Sequence, residues 1–281
     1  MSRPKAIAML LATAVLWSTG GYLLILVDWH PIAVTGTRSG IALIPLLIMF
    51  GKPRMIKGFV PIMAAVTYAA TLFLFVSANQ LTTAANVIML QYTSPVYVAF
   101  LSAWLLKEKI RKQDIITLCI VMAGLVLFFM DDLDPQGVLG NILALCSGLS
   151  MALMVICFRS MKDSHIRPGD AVIYGNVICM AIGVPFAFFY GWPGHALSWV
   201  GLIFLGLFQL GLSYGLYTKS VKHVSALELV LIPIVEPVLN PLLVAIFAFQ
   251  IPGVYAVIGG VMVIGAVTCN LVYKHLNPVS G

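Results

Sequence analysis

Long apolar runs, each about the length of a membrane-spanning helix, dominate the sequence. A spanning helix needs about 20 mostly apolar residues, and ten such runs occur, separated by short polar connections. The runs are residues 6–27, 31–50, 59–78, 83–106, 114–130, 137–158, 170–190, 198–218, 225–249 and 253–273. This pattern predicts an all-α membrane protein with ten transmembrane helices in a single domain over residues 1–281.

Composition supports the prediction of a membrane protein. Of the 281 residues, 61% are hydrophobic and only 9% are charged, whereas soluble domains carry about 25% charged residues. The net charge of +6 raises the alternative of a nucleic-acid-binding protein. The positions of the basic residues favour membrane orientation instead, so we predict a lipid bilayer and no nucleic acid as partner.

The basic residues occupy alternate connections between the runs. Every Lys and Arg except Arg38 precedes the first run or follows an even-numbered run, and the opposite connections contain only acidic charges such as Asp28 and Asp132. Cytoplasmic connections of membrane proteins are enriched in Lys and Arg. The pattern therefore predicts that both termini lie in the cytoplasm, and a miscounted run would have disrupted the alternation.

Two runs contain related interruptions. TAANVIMLQYTSPVYVAFLSAWLLKEKI is interrupted at Pro95, and SALELVLIPIVEPVLNPLLVAIFAFQIP at Pro237. Aligning these prolines predicts two five-helix halves, residues 1–133 and 134–281. Because five is odd, the halves cross the membrane in opposite senses and form an inverted repeat. Since proline removes a helix hydrogen bond, we expect Pro95 and Pro237 to act as hinges.

Charged residues inside a span default to function, and two such residues have alternative interpretations. Arg38 is either a structural salt bridge or carbonyl clamp, or an anchor for a substrate carboxylate. Glu236, one turn before Asn240, is either an ammonium or proton site, or a carboxyl group that satisfies a helix kink. A direct Arg38–Glu236 pair is a further alternative.

Mixed aromatic and hydroxyl stripes suit a cavity for a small amphipathic solute, although interhelical packing is the alternative for each residue. The predicted substrate-binding residues are Trp17, Arg38, Tyr68, Thr71, Phe75, Asn86, Tyr97, Gln209, Ser213, Tyr217, Glu236 and Asn240.

Signatures of catalysis are missing from the sequence. It contains no HExxH, no GxSxG and no Walker loop, and its five histidines lie in connections or at helix ends. No pair of its five cysteines has metal-ligand spacing. We therefore predict a protein that is not an enzyme and has neither a metal site nor a cofactor.

Four segments together resemble the ten-helix EamA-type family of the drug/metabolite transporter superfamily. They are LLATAVLWSTGGYLL, IAVTGTRSGIALIPLL, SPVYVAFLSAWLLKEKI and EPVLNPLLVAIFAF. The resemblance covers nearly the whole chain. One departure is Gln250, which stands where the first half has Glu108. If that acid supports its helix end, the second half must be capped differently.

The resemblance implies secondary transport of a small-molecule substrate, most often export by alternating access. Amino-acid exporters of the YddG type are the members it resembles most, so we expect a monomer in the bacterial inner membrane that exports aromatic or a broad range of amino acids. The alternatives are an exporter of drugs or other metabolites and a non-transporting scaffold. Sugar-phosphate carriers need several cationic residues, and the spans offer only Arg38.

Topology can be tested with single cysteines in a background without the native ones. Cysteines that replace Lys57, Lys109 and Lys222 should react with an impermeant thiol reagent only from the cytoplasm, and one that replaces Asp132 only from outside, because basic connections stay inside. Labelling is measured in whole cells and in inverted vesicles. Reaction at positions 109 and 132 from the same side would contradict the ten-helix topology.

Overall fold

The computed structural model describes residues 1–25, 27–130, 137–239 and 253–276, and within these ranges it contains helices and no strand. The first half of the chain forms α1 Arg3–Ser18, α2 Gly20–Ile25, α3 Pro31–Phe50, α4 Phe59–Leu81, α5 Ala84–Gln91, α6 Ser94–Leu105 and α7 Lys112–Phe128.

The second half contains longer helices at its start and shorter elements after them. It forms α8 Val138–Ser160, α9 Pro168–Tyr190, α10 Ala196–Phe204, a π-helical segment Leu205–Leu212, α11 Ser213–Ser220, α12 Ala226–Leu231, a 3-10 turn Pro233–Val235 and α13 Val254–Leu276. Residues 236–239 are also helical.

Seven helical stretches in the described ranges are long and apolar enough to cross a membrane, which confirms a multi-pass, all-helical architecture. They are Pro31–Phe50, Phe59–Leu81, Ala85–Leu105, Val138–Ser160, Pro168–Tyr190, Ala196–Ser220 and Val254–Lys274. Of the other predicted runs, the first is divided between α1 and α2, α7 has 17 residues, and the ninth lies partly outside the described residues. The count of ten and the cytoplasmic termini stay predictions.

Two predicted runs are broken close to their prolines. Between α5 and α6 the helix is interrupted at Tyr92 and Thr93, and Pro95 lies in the first turn of α6, where a missing N–H is tolerated. In the ninth run α12 ends at Leu231, and the 3-10 turn separates it from Glu236. Each break therefore precedes its proline instead of coinciding with it.

Two other runs depart from the continuous helices that were predicted. The first begins at Arg3 and is interrupted at Thr19, where the hydroxyls of Ser18 and Thr19 donate to carbonyls three residues back, at 2.8 and 2.7 Å. Such side-chain bonds compete with the helix ladder. The eighth run contains the π-helical segment, which no sequence pattern predicted.

Small residues bring α3 close to its neighbours on two sides. A Cβ atom on Gly36 would lie 2.5 Å from the Cα atom of Gly183 in α9, and one on Gly206 of the π segment would lie 2.9 Å from the carbonyl oxygen of Arg38. Backbone contact of this kind is how helices associate within lipid. Helix α3 is therefore fixed between α9 and the π segment.

Buried ion pairs join four helices at the end of the bundle that contains the start of α1. The ammonium of Lys274 in α13 lies 2.7 Å from Asp114 in α7 and 3.2 Å from Glu228 in α12, which also pairs with Arg3 at 2.5 Å. The side chains of Lys274, Glu228 and Asp114 are only 7%, 6% and 6% exposed. Arg3, Asp114, Glu228 and Lys274 together form the ion-pair cluster.

A second charged contact lies beside the ion-pair cluster and joins the two halves. Glu108, just after α6, accepts a 2.6 Å hydrogen bond from Arg159 of α8 and a 2.9 Å bond from the backbone N–H of Ala226. Arg159 also donates to the carbonyl of Val221 at 2.7 Å. Glu108 therefore supports the first turn of α12, in the other half, through its carboxylate.

The ion-pair cluster should be important for stability. Lys274→Met leaves two buried carboxylates without their shared cation, and breaking a buried pair costs about 3–5 kcal/mol. We expect a clearly lower Tm for the purified protein in detergent.

The matched control for this substitution is Lys162→Met. The ammonium of Lys162 lies 4.0 Å from the carboxylate of Asp163, and their side chains are 45% and 84% exposed. Removal of Lys162 should therefore cost about 0–1 kcal/mol. Equal Tm values for the two variants would show that the cluster contributes no more than a surface pair.

Candidate functional site

A cavity of about 540 Å³ lies between the two halves. One end of the cavity is lined by Trp29 and Pro31, where the chain passes from α2 to α3, and by Asn79 and Gln80 near the end of α4. The connection from α3 to α4 places the start of α3 and the end of α4 at one end of the bundle. The ion-pair cluster, which includes Arg3 at the start of α1, lies at the other end. The volume is in the range of small-molecule sites, roughly 300–1,000 Å³.

Two opposite charges line this cavity. Arg38 is 3% exposed, its Nη1 donates to Gln209 Oε1 at 3.5 Å, and its Nε lacks a hydrogen-bond partner among the described residues. The carboxylate of Glu236 accepts a hydrogen bond from the hydroxyl of Tyr92. Within the described part of the chain neither charge belongs to an ion pair. An Arg38–Glu236 pair is therefore not present in this conformation.

An aromatic group forms the floor of the cavity. The indole N–H of Trp17 donates to the hydroxyl of Ser213 at 2.9 Å, and its ring centre lies 5.1 Å from Tyr214 and 5.6 Å from Tyr217. Tyr68 packs edge-on against Tyr214 at 4.8 Å. Trp17 and Tyr214 reach the cavity, whereas Tyr68 and Tyr217 are fully buried behind them.

Half of the predicted substrate-binding residues lie in the cavity wall. These are Trp17, Arg38, Thr71, Phe75, Gln209 and Glu236. Their contact with a substrate stays a prediction, but the fold does bring them together from five of the predicted runs and from both halves.

The other predicted residues lie elsewhere. Tyr68, Ser213 and Tyr217 are buried behind the wall, where they fix the aromatic floor. Asn86 donates to Thr82 and Asn141 at 3.0 and 3.1 Å, near the contact of α5 with α8. Tyr97 packs on the main hydrophobic core. Asn240 lies outside the described residues.

The sequence did not single out Gln91, Tyr92 or Tyr214, which also line the cavity. Gln91 and Tyr92 flank the helix break before Pro95, so their position next to a broken helix was an available signal. Tyr214 could not be predicted because of the π segment. In a regular helix, residue 213 shares a face with Gln209. A π turn closes over five residues, so residue 214 shares that face instead, and both Gln209 and Tyr214 line the cavity.

Comparisons with known proteins agree with this architecture. An uncharacterized transporter of Archaeoglobus fulgidus is 26% identical over 195 residues, 69% of each chain. The uncharacterized transporter YetK of Bacillus subtilis is 25% identical over 255 residues, which cover 82% of this chain and 76% of YetK. A solved crystal structure superposes with a TM-score of 0.82 over 98% of this chain and 100% of its own, at 20% identity, which shows a shared fold.

The sequence profile of the EamA-like transporter family matches the chain twice in succession. The first match covers residues 4–130 and the second covers residues 138–272. Together they include almost all of the described helices and every residue named in the cavity wall. The chain therefore belongs to the EamA-like transporter family.

Proposed function

We propose that this membrane transporter exports amino acids or similar zwitterions across the bacterial inner membrane by alternating access. The observation that supports this best is the pair of opposite charges, Arg38 and Glu236, which face one cavity without forming an ion pair in the described structure. A zwitterion carries one partner for each of them.

The physical argument is that buried charges without counter-ions are costly. A substrate carboxylate would accept hydrogen bonds from the guanidinium of Arg38, which can donate two in parallel. The substrate ammonium would neutralise Glu236. Trp17 and Tyr214 supply an apolar floor for the side chain. Binding of a zwitterion would thus supply a counter-ion to both Arg38 and Glu236.

Alternating access would use the two broken helices. The hydrogen bond from Tyr92 to Glu236 joins the break in one half to the break in the other. An ammonium bound to Glu236 would compete for the same carboxylate and weaken this connection. Opening toward the cytoplasm then requires the ion-pair cluster to separate, while Pro95 and Pro237 allow their helices to bend.

A second candidate is export of lipophilic drugs, with Arg38 and Glu236 in structural roles. The apolar part of the wall, which includes Trp17, Leu24 and Phe75, favours it. Substrates of this kind would gain hydrophobic contact but would leave both charges unneutralised, so the cavity suits zwitterions better.

Transport can be measured in proteoliposomes that contain only this protein. With a panel of labelled amino acids, we expect saturable flux of at least one. Pro95→Ala and Pro237→Ala should slow that flux more than they lower folded yield, because alanine, unlike proline, allows the residue before it to be helical, so the helix can continue across the break and becomes stiffer. Empty liposomes are the control. Saturable flux of lipophilic cations with none of any amino acid would favour the second candidate.

The two charged residues of the cavity, Arg38 and Glu236, should be needed for transport but not for stability. Replacing a buried, poorly partnered charge by a neutral side chain is often neutral or stabilising. We therefore expect Arg38→Met and Glu236→Gln each to reduce amino-acid flux by about tenfold or more, as expected for a lost charge-assisted hydrogen bond, without lowering the Tm.

The double variant provides the decisive comparison. Side chains that do not interact have additive effects on stability, so the Tm change of the double variant should equal the sum of the single changes. If each single variant were destabilised and the double variant recovered, the two residues would be an internal ion pair and not a site for a zwitterion.

A further inference from the structure

We propose that Gln209 and Arg38 form a cradle for one carboxylate, in which Gln209 positions the guanidinium and supplies a second donor. This inference rests on the proposed function, because it states which part of a zwitterion binds at which wall of the cavity. It adds a role for Gln209, for the π segment and for Gly20.

The π segment places Gln209 beside Arg38. A Cβ atom on Gly206 would lie 2.5 Å from Cβ of Ile41, and one on Gly211 would lie 2.8 Å from the carbonyl oxygen of Ala42. Side chains at these two positions would therefore push α3 away. With glycine there, the α3 backbone lies directly on the π segment, and Gln209 is between the two contacts. Single π turns inside α-helices occur frequently at functional sites.

Gly20, at the break between α1 and α2, fixes the other side of the glutamine. A Cβ atom on Gly20 would lie 2.7 Å from Nε2 of Gln209. The amide is therefore held between the backbone of the first run and the guanidinium of Arg38, with Oε1 toward Arg38. Its Nε2 carries two N–H donors at the cavity wall.

The guanidinium lacks acceptors in this arrangement. It has five N–H donors, and the described contacts give it one side-chain acceptor, at the long distance of 3.5 Å. Its Nε is buried without a partner among the described residues. A carboxylate has the shape and charge to accept from two guanidinium nitrogens at once. The neutral amide of Gln209 orients Arg38 without neutralising it, and so leaves this place for a ligand.

The side chain at position 209 should determine whether Arg38 can bind a carboxylate ligand. Gln209→Glu keeps the length of the side chain but places a carboxylate against Arg38. We expect an internal ion pair, a higher Tm without ligand, and loss of carboxylate binding by at least about tenfold, as expected when a charge-assisted hydrogen bond is lost.

Gln209→Met should raise the KM for a transported amino acid with little change in maximal rate. Gly20→Ala, which displaces only the flexible amide end, should do so more weakly.

The test uses the full chain, purified in detergent, and three probes at millimolar concentrations. Benzoate carries only a carboxylate, phenethylamine carries only an ammonium, and L-phenylalanine carries both. We expect benzoate and L-phenylalanine to raise the Tm of the parental protein, and neither benzoate nor L-phenylalanine to raise that of Gln209→Glu. Phenethylamine should act equally on both proteins. Gln113→Glu is the matched control, because Gln113 lies in the first turn of α7, outside the cavity wall, and donates to the hydroxyl of Tyr273. Its response should equal the parental one.

Two results would overturn the cradle: no effect of benzoate on the parental protein, or an equal benzoate response in Gln209→Glu. The outcome is separate from that of the proposed function. Amino-acid flux that is unchanged in Gln209→Glu would remove the cradle and leave the exporter. Benzoate binding that depends on Gln209, in a protein without amino-acid flux, would keep the cradle and remove amino-acid export.

Discussion

Within a bilayer, every backbone N–H and C=O group must find its partner inside the protein, and this constraint shapes the whole molecule. Irregular backbone is tolerated there only next to other protein or a water-filled cavity. The interruptions at Thr19 and Tyr92, the 3-10 turn before Glu236 and the π segment all depart from the regular helix. All four border the same cavity. These four irregular elements are therefore gathered at the place where their free polar groups can be used.

The long helices were readable from the sequence because hydrophobic length is a strong signal in membrane proteins. The positions of Pro95 and Pro237 likewise indicated broken helices. The π segment was not readable, since its residues are as apolar as those of its neighbours and its geometry follows from the close packing of Gly206 and Gly211 against α3. Tertiary contact, more than local preference, determines that element.

The candidate site was predictable by residue type more than by orientation. Arg38 and Glu236 stand out because charges within apolar runs are costly. Tyr68 was expected in the cavity because it shares a stripe with Thr71 on α4, but its ring packs against Tyr214 and its hydroxyl accepts a hydrogen bond from Asn176. Tyr217 was expected there because it shares a stripe with Gln209, but that stripe assumes a regular helix. Once the π segment shifts the register, Tyr214 faces the cavity and Tyr217 turns into the core. Such a shift changes which residues face the cavity without changing the sequence pattern.

The bond from Glu108 to the backbone of Ala226 has a consequence for how the two halves evolve. Its acceptor belongs to the first half and its donor to the second, so the first turn of α12 depends on a side chain of the other half. An internal duplication starts with equal halves. Once one acid serves an element of the opposite half, its counterpart is released from that requirement, and the glutamine at position 250 is the kind of divergence that such release permits.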